Sequence, residues 1–148
     1  MLGVRVICVG RLKEKHYIDA CAEYEKRLSR YCAFDLVEVP ETGDLAKDGA
    51  AVLAKIPAGA YVVALCIEGK LHSSQELAEL VQQCAVGGKS KICFLIGGSD
   101  GLADAVKNRS ERRLSMSRMT FPHHLARVMV MEQIYRAFTI IEGGKYHK

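Results

Sequence analysis

Two stretches, residues 60–67 (AYVVALCI) and 92–96 (ICFLI), are apolar at every position. Each has the length of a strand, and neither alternates as a strand with one wet face would. Such runs fit the interior of a parallel sheet that helices cover on both sides. Residues 4–9 (VRVICV) add a β-branched strand ended by Gly10, and residues 34–39 add another, closed by Pro40. Between them Tyr17, Cys21, Tyr24, Leu28 and Tyr31 recur at steps of four and three, which predicts a helix packed back on the sheet. Residues 41–49 are polar and contain glycine, so a loop is expected there, followed by a short helix carrying Val52, Leu53 and Ile56 before Pro57. Glu68-Gly69-Lys70 breaks the strand at 60–67. Ser73 and Glu76 then have the spacing of a capping box ahead of Leu77, Leu80, Val81 and Cys84, and Gly87-Gly88 ends that helix. Gly97-Gly98-Ser99-Asp100-Gly101 ends the strand at 92–96, and residues 102–108 begin a short helix.

Strands alternating with helices predict an α/β fold, a mostly parallel sheet with flanking helices, in a single domain over 1–148. A hydrophobic content of 49% over 148 residues is enough to build one core. Ligands bind such sheets at the carboxyl ends of the strands, here 65–69, 97–101 and 116–121.

The segment 114–136 (LSMSRMTFPHHLARVMVMEQIYR) feeds the last of these ends into a helix. Leu114 and Met116 alternate with Ser115 and Ser117 as in a short strand, and Thr120-Phe121-Pro122 stops it; Pro122 suits a first helical turn. The helix carries two apolar stripes. One is Ala126, Val130, Ile134, Ala137 and Ile141; the other is Val128, Met131, Tyr135 and Phe138. Two stripes mean burial on two sides, either centrally within one domain or with one stripe on a partner subunit. Few residues follow to cover a second face, so a homodimer is expected.

Several classes lose their parts. The apolar run at 1–10 contains Arg5 and no small-residue cleavage site, and no stretch reaches membrane-spanning length, which predicts a soluble cytoplasmic protein without membrane association. The six cysteines fall in apolar runs without a C-x-x-C pair, the pattern of buried reduced thiols, and no metal is expected. His123 and His124 are neighbours at a helix start and point to different sides. A dinucleotide fingerprint would need glycine at Ile96 or Ser99, which disfavours a flavodoxin-like or Rossmann-like redox domain. Gly88-Lys89-Ser90 precedes a strand where a P-loop would follow one. The net charge of +4 permits a nucleic-acid partner through clusters at Arg11, Lys13, Lys15 and His16, at Arg109, Arg112 and Arg113, and at Lys145, His147 and Lys148. A nonenzymatic RNA-binding protein would use the same clusters.

The run Gly97-Gly98-Ser99-Asp100-Gly101-Leu102, the segment LSMSRMTFPH, the helix ARVMVMEQIYRAF and the terminal Tyr146-His147-Lys148 together resemble the RlmH family of SPOUT methyltransferases over essentially the whole chain. The resemblance implies a C-terminal trefoil knot, a homodimer, S-adenosylmethionine as methyl donor, and methylation of N3 of a pseudouridine in large-subunit ribosomal RNA. The small chain has no room for a separate RNA-binding domain, so an assembled ribosomal particle is the expected substrate. Carried over by that resemblance, Leu65, Gly97, Gly98, Met116, Ser117, Arg118, Met119, Thr120 and Phe121 hold the donor, with apolar side chains around adenine and glycine backbone at its edge. His147 is the acid/base candidate, Tyr146 stacks on the base, and Lys148 and Arg136 stabilise the uracil anion. One departure stands out: Cys66 follows Leu65 where the family commonly has aspartate, which predicts weaker donor affinity.

Overall fold

The computed structural model describes every residue, Met1–Lys148. Strands β1 (Gly3–Val9), β2 (Ala33–Val39), β3 (Tyr61–Leu71), β4 (Lys91–Ile96) and β5 (Arg112–Ser115) form one sheet in the order β2-β1-β4-β3-β5, with every neighbouring pair parallel. Helices α1 (Lys15–Leu28), α2 (Leu45–Ala54), α3 (Ser74–Val86), α4 (Asp104–Arg109) and α5 (His123–Ile141) connect and cover the strands. Successive residues of a strand point to opposite faces, so the sheet feeds two cores. Val4, Val6, Val63 and Phe94 pack under Leu28, Leu80, Val130 and Ile134, beneath α1, α3 and α5. Ile7, Val62, Ala64 and Leu95 pack against Val52 and Val106, under α2 and α4. The apolar runs are therefore buried on both sides, as their composition requires.

The capping box forms as spaced: Ser73 Oγ accepts from the Glu76 backbone N–H at 3.1 Å and Glu76 Oε1 from the Ser73 N–H at 2.9 Å. Several boundaries differ from expectation. The polar segment 41–49 is a loop only as far as Asp44, whose side chain accepts from the Lys47 N–H at 3.1 Å and starts α2 there. Gly49 lies inside that helix because a Cβ would meet the Ala103 Cβ at 2.8 Å, so it is close packing on α4's entry that calls for glycine.

The second difference shapes the site. Glu68-Gly69-Lys70 does not end β3. Val63, Ala64 and Leu65 pair with Arg112, Arg113 and Leu114, the register shifts, and Lys70 and Leu71 pair with Leu114 and Ser115. Residues 66–69 are thus a bulge thrown out of the sheet while β5 stays paired on both sides of it. Gly69 is needed there, since a Cβ would come within 2.7 Å of the Arg113 carbonyl carbon. β5 itself begins earlier and ends at Ser115; Leu114 and Ser115 are both buried, and Met116 already belongs to the loop, so the alternation marked a strand end and not a strand. Pro122 is the N-cap of α5 rather than its first residue.

Both stripes of α5 are used within the chain. Val130, Ile134 and Ala137 enter the core shared with α3 and the sheet. Met131 packs with Leu12 and Cys21, the Tyr135 ring lies 6.2 Å from Tyr24 and 6.0 Å from Tyr31, and Phe138 stacks on Tyr31 at 5.9 Å. The central placement between α1 and α3 accounts for the two stripes, so neither is left over for a partner. Leu125 and Met129 remain half-buried on the third face, together with Glu132 and Arg136.

Candidate active site

Three strand ends converge. The β3 bulge, the 97–101 loop after β4 and the 116–122 loop after β5 enclose a cavity of about 600 Å³. Of the residues expected to hold the donor, Leu65, Gly97, Gly98, Met116, Ser117, Met119, Thr120 and Phe121 line it; Arg118 is exposed and does not. The 116–122 loop is braced by its own side chains: Ser115 Oγ donates to the Ser117 carbonyl at 2.9 Å, and Ser117 Oγ accepts from the Met119 N–H at 3.0 Å. Gly97 has no room for a side chain, because a Cβ would fall 2.4 Å from the Gly101 carbonyl carbon. Gly101 itself has φ of +78°, the left-handed region that favours glycine, and its N–H donates to the Gly98 carbonyl at 3.1 Å.

The cavity also contains groups that the sequence did not single out. Lys107 Nζ, on α4, is ion-paired with Glu68 of the bulge across the rim. That hydrogen bond, with the Lys107 charge behind it, holds the Glu68 carboxyl below its ordinary range. Cys66 lies in the wall, where burial pushes its thiol up. His123 closes the α5 side; burial first, then His124, lowers its pKa and favours the neutral ring. Nothing local in the sequence pairs residues 68 and 107; the spacing of lysine against the bulge appears only once β3 lies beside α4. A second, smaller cavity of about 260 Å³ adjoins the first through Leu65, Leu114 and Met116.

The expected catalytic residues gather elsewhere. Arg136 reaches Glu132 with Nη2 at 2.6 Å and Nε at 3.3 Å, and its Nη1 donates to His147 Nδ1 at 3.0 Å. The guanidinium also lies 4.8 Å from the Tyr146 ring centroid. Arginine only donates, so His147 Nδ1 accepts and the proton of the neutral ring sits on Nε2. Gln75, whose side-chain amide lies 2.9 Å from that nitrogen, then accepts from it through the amide oxygen. The tail is ordered by these contacts, and Lys148 is exposed beyond them. None of Arg136, Tyr146, His147 or Lys148 lines the cavity of its own chain. Arg136 lies ten positions beyond Ala126, the last cavity residue of α5. That is about 15 Å of helix axis.

Beneath the entry to α5, buried Arg127 donates to Glu38 and, at 2.9 Å, to the Gly10 carbonyl. Glu38 also accepts from the Leu12 N–H at 2.9 Å, so one ion pair fixes the ends of β1 and β2 against the helix. No group of three or more His, Cys, Asp or Glu side chains is arranged to hold a metal ion, and no helix is long and apolar enough to cross a membrane.

A family model described as "Predicted SPOUT methyltransferase" matches residues 2–147. The chain belongs to the SPOUT methyltransferase family. Among the relatives of this SPOUT methyltransferase, proteins named "Ribosomal RNA large subunit methyltransferase H" from Bacillus pumilus (strain SAFR-032) and Listeria monocytogenes serovar 1/2a are each 46% identical over 159 residues, covering 99% of this chain and 100% of the relative. The protein of that name from Clostridium novyi (strain NT) is 47% identical with the same coverage. The fold is shared with a probable methyltransferase from Bordetella pertussis Tohama I (TM-score 0.62, 14% identity, 91% of this chain and 95% of that one). It is also shared with a probable methylase family protein from Haemophilus influenzae Rd KW20 (TM-score 0.58, 18% identity, 98% and 70%).

Proposed function

We propose that this methyltransferase acts in the cytoplasm as a single-domain chain and a homodimer, moving a methyl group from S-adenosylmethionine to N3 of a pseudouridine in large-subunit ribosomal RNA within an assembled ribosomal particle. The observation that carries the reading is the cavity itself: it unites the bulge and both loops in a chain whose full-length relatives are named as ribosomal RNA large-subunit methyltransferases. Its volume lies within the usual range for small-molecule sites, roughly 300–1,000 Å³. Leu65, Met116 and Phe121 offer an apolar clamp for a purine, the Gly97 and Gly98 backbone approaches its edge, and the Glu68 and Lys107 charges suit an amino-acid zwitterion. The donor supplies a sulfonium-activated methyl group when bound. The trefoil knot that the resemblance implies belongs to the same reading.

The chain's own residues must align the base and take the N3 proton. His147 takes that proton at Nδ1 once Arg136 leaves this nitrogen for the uracil ring, where with Lys148 it stabilises the developing charge, and Tyr146 presents its face to the base. Their separation from the cavity of the same chain supports a composite site, with the donor in one subunit and the tail from its partner. The half-buried third face of α5, with Leu125 and Met129 beside Glu132 and Arg136, is the surface that suits the two-fold contact.

The test is methyl transfer from labelled S-adenosylmethionine to ribosomal particles, subunits and free RNA, followed by nucleoside analysis. Label in N3-methylpseudouridine, strongest on an assembled particle, is the expected result; label at another atom, or none, overturns the reading.

A further inference from the structure

The space a side chain would take at Gly98 is occupied by a residue from a different loop. The φ of Gly98 is not positive, so its own turn does not demand glycine. A Cβ at that position would instead fall 2.1 Å from Glu41 Oε2 and 2.7 Å from Glu41 Cδ. The carboxylate that uses this space accepts from the Ser99 backbone N–H at 2.8 Å and from the Ser99 hydroxyl at 3.0 Å. Its loop is anchored next door, where buried Asp48 accepts from the Thr42 N–H at 3.0 Å and from the Thr42 hydroxyl at 2.6 Å. The backbone that delivers Glu41 is thereby fixed to α2.

Gly98 and Ser99 line the cavity and Glu41 does not. Glu41 acts on the wall from behind. The 97–101 loop is then held at two points, internally where Gly97 packs on Gly101 and externally where Ser99 is bound to Glu41. We propose that Glu41 is a positioning residue for the methyl-donor site: its carboxylate holds the 97–101 loop in donor-binding shape, and residue 98 must be glycine so that the carboxylate can enter. The inference rests on the reading of the cavity as the donor site.

The test compares wild type, Glu41→Ala, Glu41→Gln, Gly98→Ala and the Glu41→Ala/Gly98→Ala double variant for S-adenosylmethionine binding by calorimetry and for methyl transfer. Loss of charge-assisted bonds at an exposed site should weaken donor binding about tenfold in Glu41→Ala and raise the KM for donor, with kcat at saturating donor retained. Glu41→Gln keeps an oxygen that accepts both bonds and should restore most of the affinity. Gly98→Ala should be about as costly in the wild type, yet cost less than about twofold once Glu41 is alanine, because the two changes share one space. In the free protein, amide hydrogen exchange at Ser99 should quicken in Glu41→Ala alone of the Glu41 variants. Wild-type affinity in Glu41→Ala, an equal Gly98→Ala penalty in both backgrounds, or unchanged Ser99 exchange overturns the inference while leaving the donor site standing. A wild type that binds no donor overturns the donor reading and the positioning role with it.

Discussion

The Tyr146 hydroxyl donates to Glu132 Oε2 at 2.6 Å, the same oxygen that Arg136 Nη2 reaches at 2.6 Å. One carboxylate of α5 therefore organises both the guanidinium and the tail. Burial first, and then this hydrogen bond, pushes the Tyr146 hydroxyl well above the ordinary tyrosine value of about 10.

Removing that carboxylate should release the phenol. In Glu132→Ala the Tyr146 pKa should fall towards its ordinary value, with burial and the neighbouring Tyr24 hydroxyl left to raise it. A group whose folded pKa is raised contributes stability that is complete below the unfolded pKa and lost as pH rises through the folded one. Wild type should accordingly lose stability above about pH 10, and the variant less steeply. Absorbance titration corrected with Tyr146→Phe, beside denaturation at several pH values, reads both; a Tyr146 titration unmoved by the substitution refutes the assignment.

Arg127 and Glu38 make the opposite prediction for acid. Burial alone would raise the Glu38 carboxyl, but the Arg127 guanidinium, then the Leu12 N–H, bring it below its ordinary value. Its contribution is present above the unfolded pKa and is lost as pH falls through the folded one, so the acid limb of stability should begin near about pH 4. Arg127→Met should cost about 3 kcal/mol at neutral pH, because Glu38 and the Gly10 carbonyl lose their partner, and should flatten that limb. Urea denaturation at neutral pH and at acid pH is the measurement. A neutral-pH loss well under 1 kcal/mol would show that water replaces the guanidinium at no net cost.

Cys66 is the one cysteine that is not buried, and it lies in the cavity wall. Iodoacetamide should modify it alone in the native protein, more slowly than a free thiol at neutral pH because burial raises its pKa. Saturating S-adenosylmethionine should protect it, as read by mass spectrometry of the intact chain. Equal labelling with and without the donor would place the ligand elsewhere.

Strands and the α3 cap were legible because their signals are local: apolar runs, and Ser73 three residues before Glu76. The site was legible only in part, since its chemistry is assembled from distant positions. The β3 bulge depends on pairing with Leu114, Lys107 meets Glu68 only across the sheet edge, and Glu41 takes the space beside Gly98. The stripes of α5 were visible, but their partners α1 and α3 were not, and the inference of a spare stripe failed for that reason. Ile134 is fully buried, so Ile134→Asp should unfold the chain rather than dissociate a dimer.

A composite active site makes a prediction that a site within one chain does not. The tail is tied to α5 about 15 Å along the axis from the cavity, held by Glu132, Arg136 and Gln75. The half-buried face of α5 lies between these two regions, and a two-fold contact there would bring each tail towards the partner's cavity. Gly143, with φ of +71°, and Gly144 give the chain its turn after the helix. Neither Gly97→Val, whose Cβ would fall 2.4 Å from the Gly101 carbonyl carbon in the donor loop, nor a chain truncated after Gly144 should methylate as a homodimer. Exchange of subunits between them cannot decide the matter, because either model leaves one intact site. A chain carrying both changes, paired with wild type and isolated through two affinity tags, does decide it. Under a within-chain site the wild-type subunit keeps its cavity and its tail, and the heterodimer retains about half the activity of the wild-type dimer. Under the composite site the wild-type cavity faces a missing tail and the wild-type tail faces a distorted cavity, so no site is whole. Methyl transfer by the heterodimer should therefore fall to the level of the truncated chain, and activity near half of wild type would refute the shared site.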